Sequence, residues 1–306
     1  MPGLEIILGL LVAVAALATL AARLKIPYPI FLVLGGSLLG FIPGLPRVEL
    51  DPELVFLIFL PPLLYVSALF TSWRDFRANI RPISLLAVGL VLMTTLVVAA
   101  VAHYLIGLPW AAAFVLGAIV SPTDAIAATT IAQRLGVPRR IVTILEGESL
   151  VNDATGIVAY RIAVAAVLTG AFSFWAAGLQ FVVGAAGGIA FGLAVGWLVI
   201  WARRKLLDDP SIQNTVSLLT PFMAYLLAEE LPPYLWHDLL GLPGELHLSG
   251  VLAVVATGLY LGRKAPYIVS SSTRLQGYPV WELVTFLLNG LIFVLIGLQL
   301  RTVIGG

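Results

Sequence analysis

Apolar residues gather along this chain in about ten long blocks separated by short polar and basic joints. A helix needs roughly 20 apolar residues to cross the hydrocarbon core of a bilayer, and most blocks reach or approach that length. They fall at 4–22, 27–44, 53–71, 83–107, 109–132, 141–168, 174–201, 212–231, 248–262 and 281–300. The ninth is short, with room to begin earlier. Ser72–Arg81, rich in arginine, reads as a short interfacial helix or loop and not as a span. The pattern predicts an all-α polytopic membrane protein of about ten transmembrane helices, with 1–306 forming a single membrane domain.

The joints carry a second pattern. Those after odd-numbered blocks hold Arg23, Lys25, Arg74, Arg77, Arg81, Arg134, Arg139, Arg140, Arg203, Arg204, Lys205, Arg263, Lys264 and Arg274, which is 14 of the 17 basic residues. Arg47 and Arg301 fall on the other side, and Arg161 lies inside the sixth block. The positive-inside rule then makes the odd joints cytoplasmic and the N-terminus external. Trp73, Trp110, Trp175, Trp201 and Trp281 fall at block ends, where an amphipathic ring favours the interface.

Composition agrees. Hydrophobic residues make up 60% of the chain and charged residues 11%, against about 25% charged in soluble domains. The net charge of +1 and the lack of a dense basic cluster give no sign of nucleic-acid binding. No cysteine is present, which excludes disulfides and thiolate metal sites. No signal peptide, lipid anchor, soluble partner or cofactor is read from the chain, and its partner is the lipid bilayer. The absence of targeting features fits a prokaryotic inner (plasma) membrane.

Ionisable groups inside such blocks are costly and call for a reason. In the fifth, Ser121-Pro-Thr-Asp124 interrupts an apolar helix. Pro122 removes a backbone donor and clashes with the preceding turn, so the helix is expected to kink or unwind there. Carbonyls freed at such a break can coordinate a cation. The sixth block packs Glu146, Glu148 and Asp153 into eight residues. Helical spacing lets Ser149, Asn152 and Asp153 share one side, while Glu146 lies nearly two turns toward the cytoplasm as a candidate funnel residue. At about 1.5 Å per residue, Asp153 lies roughly 20 Å from Arg140 and Asp124 roughly 15 Å from Arg134. Both aspartates therefore fall near the bilayer midplane, where secondary transporters bind substrate. Two carboxylates, two hydroxyls, an amide and loosened carbonyls form a hard, all-oxygen set suited to alkali or alkaline-earth cations. A carboxylate taken out of water holds its proton to higher pH. One that accepts either a proton or a cation is the minimum machinery for exchange.

Ser121-Pro-Thr-Asp-Ala125 followed by Ile144-Leu-Glu-Gly-Glu-Ser-Leu-Val-Asn-Asp-Ala154 resembles the sodium/hydrogen exchanger branch of the monovalent cation:proton antiporters. Phe59–Leu64, Leu218–Phe222, Ser249–Val255 and Phe286–Leu298 extend the likeness over nearly the whole chain. The resemblance implies an inverted-repeat antiporter fold with discontinuous helices, in a homodimer. It implies that Asp153 alternates between proton and cation. Asp124, Ser149 and Thr123 would help to ligate Na⁺, with Li⁺ or K⁺ as alternatives, and Asn152 would hold the two helices in register. An asparagine before the aspartate resembles the electroneutral branch, which exchanges one cation for one proton. Glu148 resembles a position that pairs with an arginine on a later helix. That helix would lie beyond Gly306, so the chain reads as C-terminally truncated, with an incomplete second repeat.

Two alternatives stand beside this reading. Asp124 and Asp153 could form the dyad of an intramembrane aspartyl protease, although the Gly-Xaa-Gly-Asp pattern is absent. The chain could also be an inactive membrane fragment. Elsewhere, Arg161 is expected to snorkel to the outer interface. Gly184, Gly188, Gly192 and Gly196 are expected to let helices pack closely within one subunit. Asn289 is expected to make an interhelical hydrogen bond. His103, His237 and His247 are expected to be solvated, and 232–247 to form an external loop.

Overall fold

The computed structural model describes residues 2–42, 52–123, 128, 129, 131, 132, 135–170, 174–206, 209–233 and 248–305. Every regular element among them is helical. In chain order they are α1 (Pro2–Leu24), α2 (Tyr28–Gly40), α3 (Pro52–Phe70), α4 (Trp73–Ala78), α5 (Ile80–Ile106), α6 (Trp110–Val120), α7 (Arg139–Thr169), α8 (Phe174–Lys205), α9 (Pro210–Pro233), α10 (Gly250–Ile268) and α11 (Ser271–Gly305). Glu5–Leu24, Ile80–Ile106, Arg139–Thr169, Gly178–Lys205 and Ser271–Leu300 are each long and apolar enough to cross a membrane. Tyr28–Gly40, Leu54–Phe70 and Trp110–Val120 are shorter apolar helices. The protein is thus an all-α integral membrane protein.

Most predicted blocks coincide with helices. Ser72 caps α4 by accepting a hydrogen bond from the Asp75 amide (3.4 Å), so this arginine-rich stretch is a short helix and no span. The last two blocks differ from expectation. The ninth does not begin earlier but runs on to Ile268, and the tenth begins at Ser271, well before residue 281. Arg263, Lys264 and Arg274 lower the local hydropathy without lowering helix propensity, so an apolar window stops short of the true helix ends. Trp281, expected at an interface, is accordingly buried within α11. The loop expected at 232–247 lies outside the described residues from 234 onward.

The chain divides into two compact units, one formed by residues 1–63 with 274–306 and the other by 64–273. The division within α3 falls just after Pro61-Pro62, where two backbone donors are missing. In the first unit Val14, Leu32 and Val294 are fully buried, with Leu17, Tyr28, Phe286 and Leu298 packed around them. Gly36 lies on the backbone of Val294 and Gly297 on that of Val33, so α2 and α11 approach backbone to backbone. Asn289 is buried in α11 and its Oδ1 has no hydrogen-bond partner among the described residues.

In the second unit the glycine series on α8 meets α10. A Cβ on Gly188 would strike the Ser249 carbonyl (2.5 Å), one on Gly192 the Ala253 carbonyl, and one on Gly196 the Tyr260 ring (2.9 Å). The Ser249 amide donates to the Gly184 carbonyl (3.0 Å). Thr257, fully buried, donates to the carbonyls of Gly192 (2.8 Å) and Ala253 (2.7 Å). The glycines therefore serve packing within the subunit, as expected. Thr257→Val keeps the shape but removes the hydroxyl; loss of about 1 kcal/mol is expected, seen as a lower unfolding temperature in detergent with transport retained.

Helix α5 supports the region that follows α6. It widens to i→i+5 turns at Leu85–Leu90 and Ala102–Ile106, each of which changes the face that later residues present. Gly117 of α6 lies on the Thr95 carbonyl of α5, and Ala99, Ala102 and Ala113 close the same seam. At the end of α5, His103 is half-buried, stacked on Trp110 (4.1 Å between centroids) with Nδ1 2.8 Å from the Leu108 carbonyl. It is therefore not simply solvated; His237 and His247 lie outside the described residues.

Candidate functional site

The fifth predicted span breaks at the expected place. α6 ends at Val120, and Ser121, Pro122 and Thr123 are not helical. Ser121 is buried and receives a hydrogen bond from the Thr95 hydroxyl of α5 (3.1 Å) while donating to the Ala118 carbonyl (3.2 Å). A proline after these residues withholds the amide that would have continued the turn, and the hydroxyl pair holds the chain where it leaves the helix.

α7 runs through the acidic stretch without interruption. Its buried face carries Gly147, Glu148, Asn152, Thr155 and Gly156. Gly156 has no side chain because the Pro122 ring occupies the space, and a Cβ on Gly147 would strike Ile83 (2.6 Å) and Phe76 (3.2 Å). These two glycines let α7 approach the break after α6 and the start of α5. The close approach brings three polar residues together. Thr123 donates its hydroxyl to Glu148 Oε1 (2.8 Å). The Asn152 amide donates to the Thr123 carbonyl (3.0 Å), the Thr123 hydroxyl oxygen (3.1 Å) and Glu148 Oε1 (3.0 Å). An amide has two hydrogens, so these three contacts are shared.

Asn152 is fully buried and Glu148 nearly so. The two neutral donors satisfy one oxygen of a carboxylate that faces no cation among the described residues. The Asn152 Oδ1 is buried without a hydrogen-bond partner among those residues, an unspent acceptor at the helix break. Ser149 and Asp153, four residues apart, lie on the adjoining half-buried face, so Asn152 is turned further inward than they are. Glu146 is exposed on α7. Asp124 lies outside the described residues. Asn152→Ala would take away the donor to the Thr123 carbonyl and one of the two donors to Glu148; a loss of about 1–3 kcal/mol is expected. A fall in unfolding temperature larger than that of Thr257→Val would show it.

Sequence reasoning missed three contributors. Thr95 and Gly156 gave no periodic signal, since each acts through one contact with a distant segment. Arg161, read as snorkelling to the outer interface, also donates its Nη1 to Glu229 Oε2 of α9 at 2.7 Å, a partner that the sequence did not reveal.

A broken apolar helix thus packs against a helix carrying a buried carboxylate and amide, inside an all-helical membrane fold. The comparisons with known proteins give the family. The signature described as sodium/hydrogen exchanger, transmembrane, matches residues 9–305, and the chain belongs to that family of monovalent cation:proton antiporters. It is 42% identical over 300 residues to an uncharacterized Na⁺/H⁺ exchanger of Mycobacterium tuberculosis, covering 97% of this chain and 52% of the relative. It is 38% identical over 312 residues to a sodium, potassium, lithium and rubidium/H⁺ antiporter of Bacillus pumilus, covering 98% and 44%. The Na⁺/H⁺ antiporter ApNhaP of Aphanothece halophytica is 33% identical over 299 residues, covering 97% and 54%. The chain thus spans about half the length of the curated relatives it matches. The fold is that of the sodium proton antiporter MjNhaP1 from Methanocaldococcus jannaschii, with a TM-score of 0.74 at 21% identity over 97% of this chain and 70% of that one. The family is one of transporters, and nothing in the comparisons supports a protease.

Proposed function

We propose that this chain supplies the ion-exchange site of a secondary antiporter that moves a monovalent cation, Na⁺ with Li⁺ and K⁺ as alternatives, against a proton. The observation that carries the reading is the cluster of Thr123, Glu148 and Asn152 at the break after α6, one residue before Asp153. In it Asp153 is the carboxylate shared by proton and cation, with Asp124, Ser149 and Thr123 as further oxygen ligands. Asn152 and Glu148 hold the break in place, Pro122 creates it, and Glu146 draws cations toward it. One titrating carboxylate trades one positive charge for another, so exchange is one for one and electroneutral. No cofactor is required.

The chain acts as one transport domain in a homodimer within a prokaryotic inner membrane, with basic joints cytoplasmic and the N-terminus outside. Alternating exposure of the midplane site to either face completes the cycle. The test is dissipation of a ΔpH in proteoliposomes on addition of Na⁺, Li⁺ or K⁺. The order of responses gives the substrate. No response to any of them, from this chain or from one extended to the length of its relatives, overturns the reading.

A further inference from the structure

We propose that Arg161 and Glu229 form an outer latch over the exchange site, holding α7 against α9 and α10 while the site is shut to the outside. The inference rests on the exchange reading above. Ser149, Asp153, Ile157 and Arg161 follow one another at four-residue intervals along α7, a row that winds slowly about the helix and leaves Arg161 about 80° round from Asp153. Arg161 ends that row about 12 Å from Asp153, in the direction away from the basic cytoplasmic end of α7. It therefore stands on the outward route from the carboxylate.

The contact there ties three helices together. Glu229 takes the Arg161 Nη1 on Oε2 (2.7 Å) and the Gly250 amide on Oε1 (3.1 Å). Gly250 is the first residue of α10, whose unsatisfied amides attract negative charge. A Cβ at Gly250 would meet Glu229 Cγ (2.8 Å) and the Tyr225 ring (3.0 Å), so the close approach is built into the backbone. The Glu229 side chain is 15% exposed and that of Arg161 45%. The carboxylate is therefore fixed to α9 and α10, while the guanidinium reaches it from α7, 45% exposed and with the Tyr225 side chain as a second partner. A strong bond with one anchored and one releasable partner has the properties of a latch.

The absence of native cysteine makes a direct test simple. Ile157→Cys, half-buried between Asp153 and Arg161, is labelled in membranes by an impermeant maleimide applied from the outer or the cytoplasmic side. Slow outer labelling is expected with the pair intact. R161Q and E229Q are each expected to raise the outer rate about five-fold or more, and R161K, which keeps the charge, to stay close to the slow rate. Outer rates unchanged by either single substitution overturn the proposal, as do rates raised only from the cytoplasmic side. The two substitutions lie on different helices; if both leave the protein unfolded by size-exclusion chromatography, the pair is a structural clamp and the latch is refuted. Labelling does not depend on transport. Silence in the ΔpH assay with the expected labelling pattern would sink the exchange reading and leave the outer closure standing.

Discussion

Asp153→Asn is expected to reduce cation-driven ΔpH dissipation to that of protein-free liposomes while leaving the fold intact. The substitution keeps the size of the side chain and its capacity for hydrogen bonds. What it removes is charge and titration, the two properties that exchange requires of one group. Because Asp153 lies on the half-buried face and the register of the break is held by Asn152, the Thr123–Glu148–Asn152 cluster should survive. An unfolding temperature equal to that of the parent, together with abolished flux, would separate loss of chemistry from loss of structure. Asp153→Glu retains titration but moves the carboxylate by one methylene; it should keep a reduced flux. Full activity in Asp153→Asn would remove this residue from the mechanism.

The second large effect concerns a residue without a side chain. Gly156→Val is expected to damage stability and transport together. The space beside Gly156 is filled by the Pro122 ring, which cannot rotate away as a flexible side chain could. Overpacking of this kind costs about 1–3 kcal/mol, and relief by separation would carry Thr123 away from Asn152 and Glu148. Gly178→Val on α8 is the control, because a Cβ there meets nothing within 4 Å. Thermal unfolding in detergent and the ΔpH assay, run on both variants, check the expectation. Equal behaviour of the two would mean that the approach of α7 to the break is not needed.

What could be read from the sequence follows from which physical signals are local. Spans were legible because bilayer thickness sets a length, and the break at Ser121-Pro-Thr because proline acts on its own turn. Glu148 and Asn152 were marked by charge and polarity in an apolar context. The ends of α10 and α11 were not legible, since Arg263, Lys264 and Arg274 are polar yet good helix formers. Nor were the pairing of Arg161 with Glu229, 68 residues away, and the burial of Thr95 against Ser121. Such contacts depend on which helices become neighbours, and hydropathy says nothing about that.

The seam between α8 and α10 carries a mechanical consequence. Gly188, Gly192 and Gly196 recur once per turn, and each receives a carbonyl or ring of the facing helix as a tooth enters a notch. Sliding by less than a full turn, about 5.4 Å, would drive side chains of α8 into the α10 backbone and tear the Thr257 hydroxyl from Gly192. Intermediate registers are therefore closed to this pair. The two helices are therefore keyed together as a single beam.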